Sequence, residues 1–482
     1  MNLLMFSQYK IKLILFTFIF AFLFRFFLYY FQIFDTWGIT DDSQEYINIA
    51  RSIKDYGVVG ENGVPDFNRT PGYPILILFS FLFSENINSI LFTQFFLDSI
   101  TCVLLVDIAC TLKLPNKYKY ILSILLVSCL YTSIYSGLIM TETLYSFLIT
   151  LSLWLLKNKA NKNYIFDVSI SKLVTLSFVY AMIILVRPIF SIILFISFMV
   201  FFIFDILNTN KIKLKIISRY LLITTIVLTC LSPWVIRNLT TFSKYYEYPD
   251  NDIITPIGIK TKYNLWKIIY NKNYQKFVKS YEEPFLIFNP VEPPVISKKV
   301  YFEEEKDVND VFYLLQKNPL LISGSSYYPL VVSDEVNNKF KMISEKRYRE
   351  KPSLYITAPL SRIAKILFAP RISSFYKGIS GFNSSNTKFT FYLIYNLIYV
   401  LPAILFFILG VLFIKKYRYN EIFLYSSSLI AGHIYAYTSW VPLTQSRYLI
   451  PLFPILSLLS VIFLHKLFSY YHLYSKKIKN KK

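Results

Sequence analysis

The chain has 482 residues, of which 55% are hydrophobic and 19% aromatic, and its formal net charge is +22. Long uncharged runs in such a composition are typical of a polytopic membrane protein and exclude an ordinary soluble domain. Much of the positive charge lies in short loops between apolar segments. We therefore assign it to membrane orientation and lipid contact rather than to nucleic acid.

Ten apolar segments predict an all-α fold of about ten transmembrane helices, most near the ~20 residues needed to cross a bilayer. Lysine-rich loops alternate with loops poor in Lys and Arg, which predicts a multi-pass protein of the bacterial cytoplasmic membrane with both termini in the cytoplasm. Arg25 interrupts the first segment, where it can snorkel to the outer surface or bind anions. The predicted spans are 11–34, 87–112, 118–137, 141–156, 171–186, 189–207, 216–236, 388–414, 420–439 and 447–468.

The spans divide the chain into three parts. Residues 1–236 form an N-terminal transmembrane module that contains a first outward loop, 35–86. Residues 237–387 are more polar and predict a small outward domain of mixed helix and strand. Residues 388–482 return to transmembrane helices and end in a basic cytoplasmic tail.

The first outward loop begins with the pattern of an amphipathic helix. Thr40 can cap it, Asp41 and Asp42 fall in its first turn, and Gly57 is a natural stop. Asp42 and Tyr46 share a face with apolar residues, where a carboxylate is partly desolvated and better suited to act as a base. The other face, predicted to be solvated, carries Asp41, Glu45, Asn48 and Ser52.

More polar residues are predicted to converge on the outer membrane face. Arg69 precedes Pro71, which can open a second short apolar helix. Arginine binds phosphate in a fixed bidentate geometry and stays charged. A carboxylate together with several arginines in one outer cavity therefore suits a phosphate leaving group and a hydroxyl nucleophile. At the predicted outer ends of later spans stand Glu142, Arg237, Arg447 and Tyr448.

Each of these residues also has an ordinary structural interpretation. Asp41 and Asp42 can simply cap a surface helix, and Arg69 can pin a short helix to lipid headgroups. Glu142 can cap the fourth span. His433 is more typical of a packed, hydrogen-bonded histidine than of a metal ligand, since no second histidine has matching spacing.

Five motifs together resemble a known family. They are the outward Asp helix with Tyr46 four residues after Asp42, Arg-Thr-Pro-Gly-Tyr-Pro at 69–74, Thr-Glu-Thr-Leu at 141–144, Pro-Trp-Val-Ile-Arg-Asn at 233–238 and Ser-Arg-Tyr-Leu-Ile-Pro at 446–451. In this order they resemble the polyprenyl-phosphate-dependent membrane glycosyltransferases of the C-type superfamily, which include protein O-mannosyltransferases and lipid A aminoarabinose transferases. The sequence departs from that pattern at Thr70, where many members have proline, and at Ser43, where those transferases tend to have Glu.

The resemblance implies a role for each matched residue. Asp42 matches the catalytic carboxylate, with Asp41 as the alternative of the pair. Arg69 matches a donor-phosphate contact, and Arg237 and Arg447 match further ones more loosely. The other matched positions, which the resemblance implies bind substrate, are Tyr46, Glu142, Tyr73 and Tyr448.

The implied activity is transfer of a sugar from a polyprenyl-phosphate donor to lipid A, a glycan or a protein at the outer membrane face. Asp42 would act as base in a single displacement with inversion. No cofactor is fixed by the resemblance, and a divalent metal ion is left open. Two other classes remain: a polysaccharide polymerase or O-antigen ligase, expected to carry paired arginine motifs in large loops, and a lipid-linked sugar flippase, expected to carry internal repeats and charged or broken helices at mid-membrane.

Overall fold

The computed structural model describes a largely helical protein. It covers residues 2–31, 38–39, 41–65, 69–157, 165–209, 214–241, 334–368, 420–437 and 446–479, together with 394, 397–398 and 401. The N-terminal half contains α1 (Asn2–Tyr30), α2 (Asp41–Tyr56), β1 (Gly60–Glu61), β2 (Val64–Pro65), α3 (Gly72–Phe81), α4 (Ile87–Thr111), α5 (Asn116–Val127), α6 (Leu130–Ser136), α7 (Glu142–Leu156), α8 (Ile170–Val186), α9 (Phe190–Thr209) and α10 (Leu214–Thr241). Later described elements are α11 (Asp334–Glu350), α12 (Leu354–Phe368), α13 (Asn420–Tyr435), a 3-10 helix (Ser446–Leu452) and α14 (Phe453–Lys479).

The apolar helices fit a multi-pass membrane protein. Within the described ranges, five are long and apolar enough to cross a bilayer alone: Gln8–Tyr30, Ile87–Thr111, Phe190–Leu207, Leu214–Thr241 and Tyr448–Ser469. The pair α5 and α6, bent by 44°, can count as one more. Shorter apolar helices occupy three further predicted spans, at α7, α8 and α13. Nearly all of 388–414 lies outside the described residues, so the count of ten stays a prediction.

The predicted outward region is described only in part. Residues 242–333 and 369–387 lie outside the described residues. The predicted mixture of helix and strand in these ranges therefore stays a prediction. The described part of 237–387 consists of the end of α10 and the helices α11 and α12, which are joined by a hydrogen bond of 2.8 Å from the Tyr355 hydroxyl to the Ser344 carbonyl oxygen.

The helices pack in a chain of neighbours around α4. Helix α4 contacts α1, α5 and α7, while α7 packs on α8 and α8 on α10. At one end of this bundle Asp107 pairs with Lys10 and Lys157, two residues that the charge pattern predicts on the same membrane face. The first loop lies at the opposite end. The structure thus places Lys10 and Lys157 on one face, whereas the alternation of the other loops and the identity of the cytoplasmic face stay predictions.

Arg25 is buried inside the bundle, so neither snorkelling nor anion binding describes it. Its Nε lies 2.7 Å from Asp98 Oδ2 on α4, and both side chains are almost completely buried. Its other nitrogens donate to the carbonyl oxygens of Leu126 and Val127, where α5 ends at the break before α6. A helix end leaves such carbonyls without helical partners, and a cation there suits the helix dipole. Arg25 therefore stabilises the bent span.

The first loop is tied to the short connection that leads into α7. Gly38 and Leu138 form a parallel β-bridge, in which Gly38 donates to the Gly137 carbonyl oxygen at 2.9 Å and accepts from the Ile139 N–H at 3.0 Å. The Ser43 hydroxyl donates to the Ile139 carbonyl oxygen at 2.8 Å. The sequence predicts both connections on the outer side, and the structure joins them directly.

Helix α3 begins after Pro71, as predicted, and rests against the end of α8. A Cβ added to Gly72 would lie 2.6 Å from the carbonyl carbon and oxygen of Leu185 and 2.7 Å from the Val186 nitrogen. These are backbone atoms, so they cannot rotate away as a side chain can. The close approach sets the start of α3 next to Arg187, the residue that follows α8.

The first prediction concerns the Arg25–Asp98 pair. Asp98→Ala leaves a buried guanidinium without its counter-charge, and we expect a loss of about 3–5 kcal/mol in the free energy of unfolding, measured in detergent micelles. Replacing both residues by leucine should recover most of that loss, because no buried charge remains. Equal losses in the single and double variants would contradict a role for charge pairing.

The second prediction concerns Gly72. Gly72→Ala must displace α3 from α8 or strain the backbone, and we expect a loss of about 1–3 kcal/mol by the same measurement. Ile75→Ala is the control, since Ile75 lies on the same helix with 44% of its surface exposed and should change stability much less. An alanine at position 72 that leaves stability unchanged would show that α3 is not held by this contact.

Candidate functional site

One guanidinium gathers the polar side chains of the first loop. Arg69 Nη2 donates to Asp42 Oδ1 at 2.5 Å and to Glu45 Oε2 at 2.7 Å, and Nε donates to the same Glu45 oxygen at 2.9 Å. Its Nη1 lies 3.0 Å from the Tyr46 hydroxyl. The structure thus brings together Asp42, Tyr46 and Arg69, three of the residues that the sequence singles out. Arg69 is engaged by carboxylates and does not serve only to pin α3 to headgroups.

Glu45 is a site residue that the sequence analysis missed. It was assigned to a solvated face, but its side chain is only 15% exposed and contacts Arg69 twice. Ser52, assigned to the same face, is buried and donates to the Val58 carbonyl oxygen. The solvated-face prediction is therefore wrong for both residues. Helical spacing could have indicated the role of Glu45. Residues three and four apart on a helix are neighbours, and Glu45 and Tyr46 follow Asp42 by three and four residues.

In this cluster the neighbouring charges favour the ionised arginine, and burial favours the neutral tyrosine. Burial lowers the pKa of Arg69, but Tyr46, Glu45 and Asp42 raise it by more, so the pKa lies above its ordinary value. Burial raises the pKa of Tyr46 to about 12, with Asp42 adding to the rise and Arg69 opposing it. Tyr46 therefore presents a protonated hydroxyl at neutral pH.

Tyr73 lies behind Tyr46. The two rings meet edge to face with centroids 5.0 Å apart, and the Tyr73 hydroxyl donates to Gln94 Oε1 at 2.8 Å. Gln94 in turn donates to the carbonyl oxygens of Ser136 and Leu138. Tyr73 is fully buried and its hydroxyl is bonded to Gln94, so in this structure it supports Tyr46. Its predicted contact with substrate stays a prediction.

A second ion pair stands where α7 begins and α8 ends. Glu142 Oε1 lies 2.6 Å from Arg187 Nη2, and Arg187 Nε donates to the Thr141 hydroxyl at 2.8 Å. The guanidinium faces the rings of Tyr145 and Tyr448, at 5.0 and 5.9 Å from their centroids. Glu142 and Tyr448, both predicted substrate contacts, thus meet around Arg187. Glu142 has an ion-pair partner and is more than a helix cap.

Arg187 is the second residue that the sequence analysis missed. In the sequence it lies in the two-residue gap between the predicted spans 171–186 and 189–207, next to Pro188. Ionisable groups inside or at the ends of membrane helices usually mark functional or tightly paired positions, which was the available signal. The two ion pairs are close enough for both Arg187 and Glu142 to influence the pKa of Tyr46.

His433 behaves as the sequence predicts, as a packed histidine. Its Nδ1 lies 2.6 Å from the Leu429 carbonyl oxygen, and its Nε2 lies 2.8 Å from the Tyr145 hydroxyl. A carbonyl can only accept, so Nδ1 carries the proton and Nε2 accepts from Tyr145. The histidine therefore orients Tyr145 beneath Arg187.

Arg237 contacts the segment that follows α2. It donates to the Val59 carbonyl oxygen at 2.7 Å and to Asn238, with its guanidinium over Trp234. The neighbouring Val58 bonds to Ser52, which is about 15 Å from Asp42 along the axis of α2 at a helical rise of about 1.5 Å per residue. In the structure Arg237 anchors the far end of the first loop through Val59. Its predicted role as a further phosphate contact beside Arg69 stays a prediction.

Three candidates fall wholly or partly outside the described residues. Thr40 is outside them, and so are the side chains of Asp41 and Arg447, although Asp41 begins α2 and Arg447 belongs to the 3-10 helix. Their predicted roles stay predictions. Among the residues that are described, no group of three or more His, Cys, Asp and Glu could hold a metal ion.

The arrangement can bind an anion and remove a proton. Arg69 supplies a charged, planar donor set, and Asp42 is a carboxylate beside it whose side chain is 31% exposed. A second arginine, Arg187, lies over the rings of Tyr145 and Tyr448 and is paired with Glu142. These parts lie together at one end of the membrane helices.

No family model matches the chain, and no curated protein matches it either. Two solved structures are similar. ArnT from Cupriavidus metallidurans in the apo state shares 10% identity over 87% of this chain and 73% of its own length, with a TM-score of 0.34. ArnT from Cupriavidus metallidurans bound to undecaprenyl phosphate shares 11% identity over 94% and 78%, with a TM-score of 0.35. Both belong to the class that the sequence motifs resemble, but TM-scores this low do not establish a common fold, and the proposed function rests on the contacts of the site.

Proposed function

We propose that this protein is a membrane glycosyltransferase that moves a sugar from a polyprenyl-phosphate donor to an acceptor hydroxyl or amine. The reaction takes place at the end of the helices where α2 lies, on the outer face of the membrane. Lipid A, a glycan and a protein are all acceptors of suitable chemistry. The observation that carries the proposal is the contact of Arg69 with Asp42 on a helix that links two apolar spans.

The location suits a lipid-linked substrate. In the sequence, helix α2 comes after α1 and before α4, two helices that are each long enough to span a bilayer. A polyprenyl tail can lie in the hydrocarbon region beside such helices while its phosphate and sugar reach the polar cluster at their end. Arg69 then binds the phosphate with paired N–H donors, as arginine does in other phosphate sites.

The chemistry is a single displacement at the anomeric carbon. Asp42 takes the proton of the acceptor O–H or N–H as that atom bonds to the anomeric carbon from the side opposite the phosphate. The bond from the anomeric carbon to the phosphate oxygen breaks, and its electron pair stays on the lipid phosphate. Arg69 stabilises that departing charge. The configuration at the anomeric carbon is inverted, and Asp42 returns its proton to solvent.

The flippase alternative deserves comparison because the structure contains two features expected of it. The span formed by α5 and α6 is broken, and a charged pair lies among the helices. However, Arg25 and Asp98 are sealed from solvent and bonded to protein atoms, including the carbonyls at the break. They stabilise the bundle and present no group to a moving substrate, so the transferase is the better-supported function.

The test is transfer by purified protein from a panel of radiolabelled polyprenyl-phosphate sugars, with wild type beside Asp42→Asn. Since general-base catalysis contributes about 10²–10⁴-fold, we expect the variant to lose at least about a hundredfold in release of sugar from the lipid. The inverted configuration of the product should be visible by NMR.

Asp55→Asn is the matched control. Asp55 is an exposed carboxylate near the other end of the same helix, so its variant should keep the wild-type rate. Equal rates in wild type and Asp42→Asn would remove Asp42 from the chemistry. A folded wild type that neither binds nor cleaves any donor of the panel would contradict the transferase proposal and return attention to the polymerase and flippase classes.

A further inference from the structure

A polar cluster at the end of the bundle opposite the first loop has no part in the proposed function. Asp107, near the end of α4, pairs with Lys10 of α1 at 2.5 Å and with Lys157, which directly follows α7. Trp154 Nε1 donates to Asp107 Oδ2 at 2.7 Å, and the Lys157 ammonium lies 4.4 Å from the centroid of the Trp154 ring. We call these four residues the Asp107 cluster. It joins three helices at one buried carboxylate.

The lysines at this place carry more positive charge than Asp107 can neutralise. In the part of the chain that the structure describes, Asp107 is the only ion-pair partner of Lys10 and of Lys157. Lys172, in the first turn of α8, has no ion-pair partner there. Burial and the positive charges of Lys10 and Lys172 each lower the pKa of Lys157. Three lysines thus share one carboxylate, and an anion bound beside them would relieve their mutual repulsion.

The cluster reaches the molecular surface through its lysines, and apolar surface adjoins them. The side chains of Asp107 and Lys157 are 10% and 15% exposed, whereas that of Lys10 is 36% exposed. Ile11, next to Lys10, and Ile170, in the first turn of α8, are both exposed. Because Ile11 belongs to a helix long and apolar enough to span a bilayer, we expect it to face acyl chains. A ligand at these lysines therefore meets charge and hydrocarbon together, which favours a phospholipid over free phosphate.

We propose that the Asp107 cluster binds the phosphate of an anionic phospholipid from the leaflet at that end of the bundle. Lys10 and Lys157 donate to the phosphate oxygens, since each ammonium has three N–H donors and Asp107 takes only part of them. Lysine binds phosphate as a point charge, and basic pockets between transmembrane helices bind lipid headgroups. Asp107 and Trp154 are positioning residues, because they hold the Lys157 ammonium beside that of Lys10.

The bound lipid acts on helix packing and not on the reaction. Its phosphate would link the ends of α1 and α7 on either side of α4, in addition to the contacts of Asp107. The charge pattern predicts that this end lies in the cytoplasmic leaflet. Arg69 and Asp42 lie at the opposite end, so this lipid is not the sugar donor and the inference does not depend on the proposed function.

The test is binding of radiolabelled phosphatidylglycerol to the full-length protein in detergent micelles at fixed pH and ionic strength, with phosphatidylcholine as the competitor. We expect wild type to prefer phosphatidylglycerol by more than about tenfold. One lysine at a membrane surface is worth about fivefold in affinity for anionic lipid, so Lys10→Gln and Lys157→Gln should each weaken binding by about that factor. Lys10→Arg keeps the charge and should stay within about twofold of wild type.

Lys12→Gln is the matched control. Lys12 is an exposed lysine of the same helix, two residues after Lys10, so its loss removes an equal charge without touching the Asp107 cluster. Its affinity for phosphatidylglycerol should change by less than about twofold. Thermal unfolding without added lipid separates lost binding from lost folding, and Lys10→Gln should unfold within about 2 °C of wild type. If Lys157→Gln does not fold, Lys10→Gln and Lys10→Arg decide the question.

The other outcomes overturn the site. Equal weakening by Lys10→Gln and Lys12→Gln would indicate a diffuse positive surface. Equal affinity of wild type for phosphatidylglycerol and phosphatidylcholine would exclude recognition of the lipid charge. Inorganic phosphate that raises the unfolding temperature as much as phosphatidylglycerol does would replace the lipid by a free anion. Each of these results leaves the transferase standing, whereas a wild type that binds phosphatidylglycerol as expected but transfers no sugar would overturn the transferase alone.

Discussion

The Arg69 guanidinium is the interaction on which the outer end of this protein depends. It crosses from the start of α3 to the first two turns of α2, so that a single side chain fixes how the two short helices of the first loop meet. A planar cation with several donors can satisfy two carboxylates and a phenol at once, which a lysine could not do in the same geometry. The same property that orders the loop makes the guanidinium suitable for phosphate.

The second ion pair is held beside the first by backbone contacts. The Gly38–Leu138 bridge ties the first loop to the entrance of α7, and the close approach of Gly72 to Leu185 ties α3 to the exit of α8. Charged groups of both pairs influence the pKa of Tyr46. Burial makes such electrostatic effects stronger than they would be in water, so small shifts in either pair change the other.

The sequence predicted the helical class, the position of most described spans, and the meeting of Asp42 with Arg69. These follow from hydrophobic length, capping residues and helical periodicity, which are local properties. It did not predict that Glu45 is turned toward Arg69 or that Arg187 pairs with a residue from another span. It also did not predict that Arg237 donates to the Val59 carbonyl oxygen, beyond the end of α2. Membrane topology fixes depth, while position within the plane depends on packing between distant segments.

The buried Arg25 has a consequence for biogenesis. The ribosome delivers α1 to the membrane before Asp98 on α4 has been made, so the first span enters with an unpaired cation at a cost of up to about 3 kcal/mol on insertion scales. Apolar neighbours offset that cost, as the most apolar 18-residue window within Gln8–Tyr30 has a mean hydropathy of 2.3. Until α4 is made, we expect the arginine to favour positions of α1 near water or lipid headgroups, where its charge stays solvated. Final seating of the first helix is thus a late event that waits for a partner synthesised some seventy residues afterwards, at position 98.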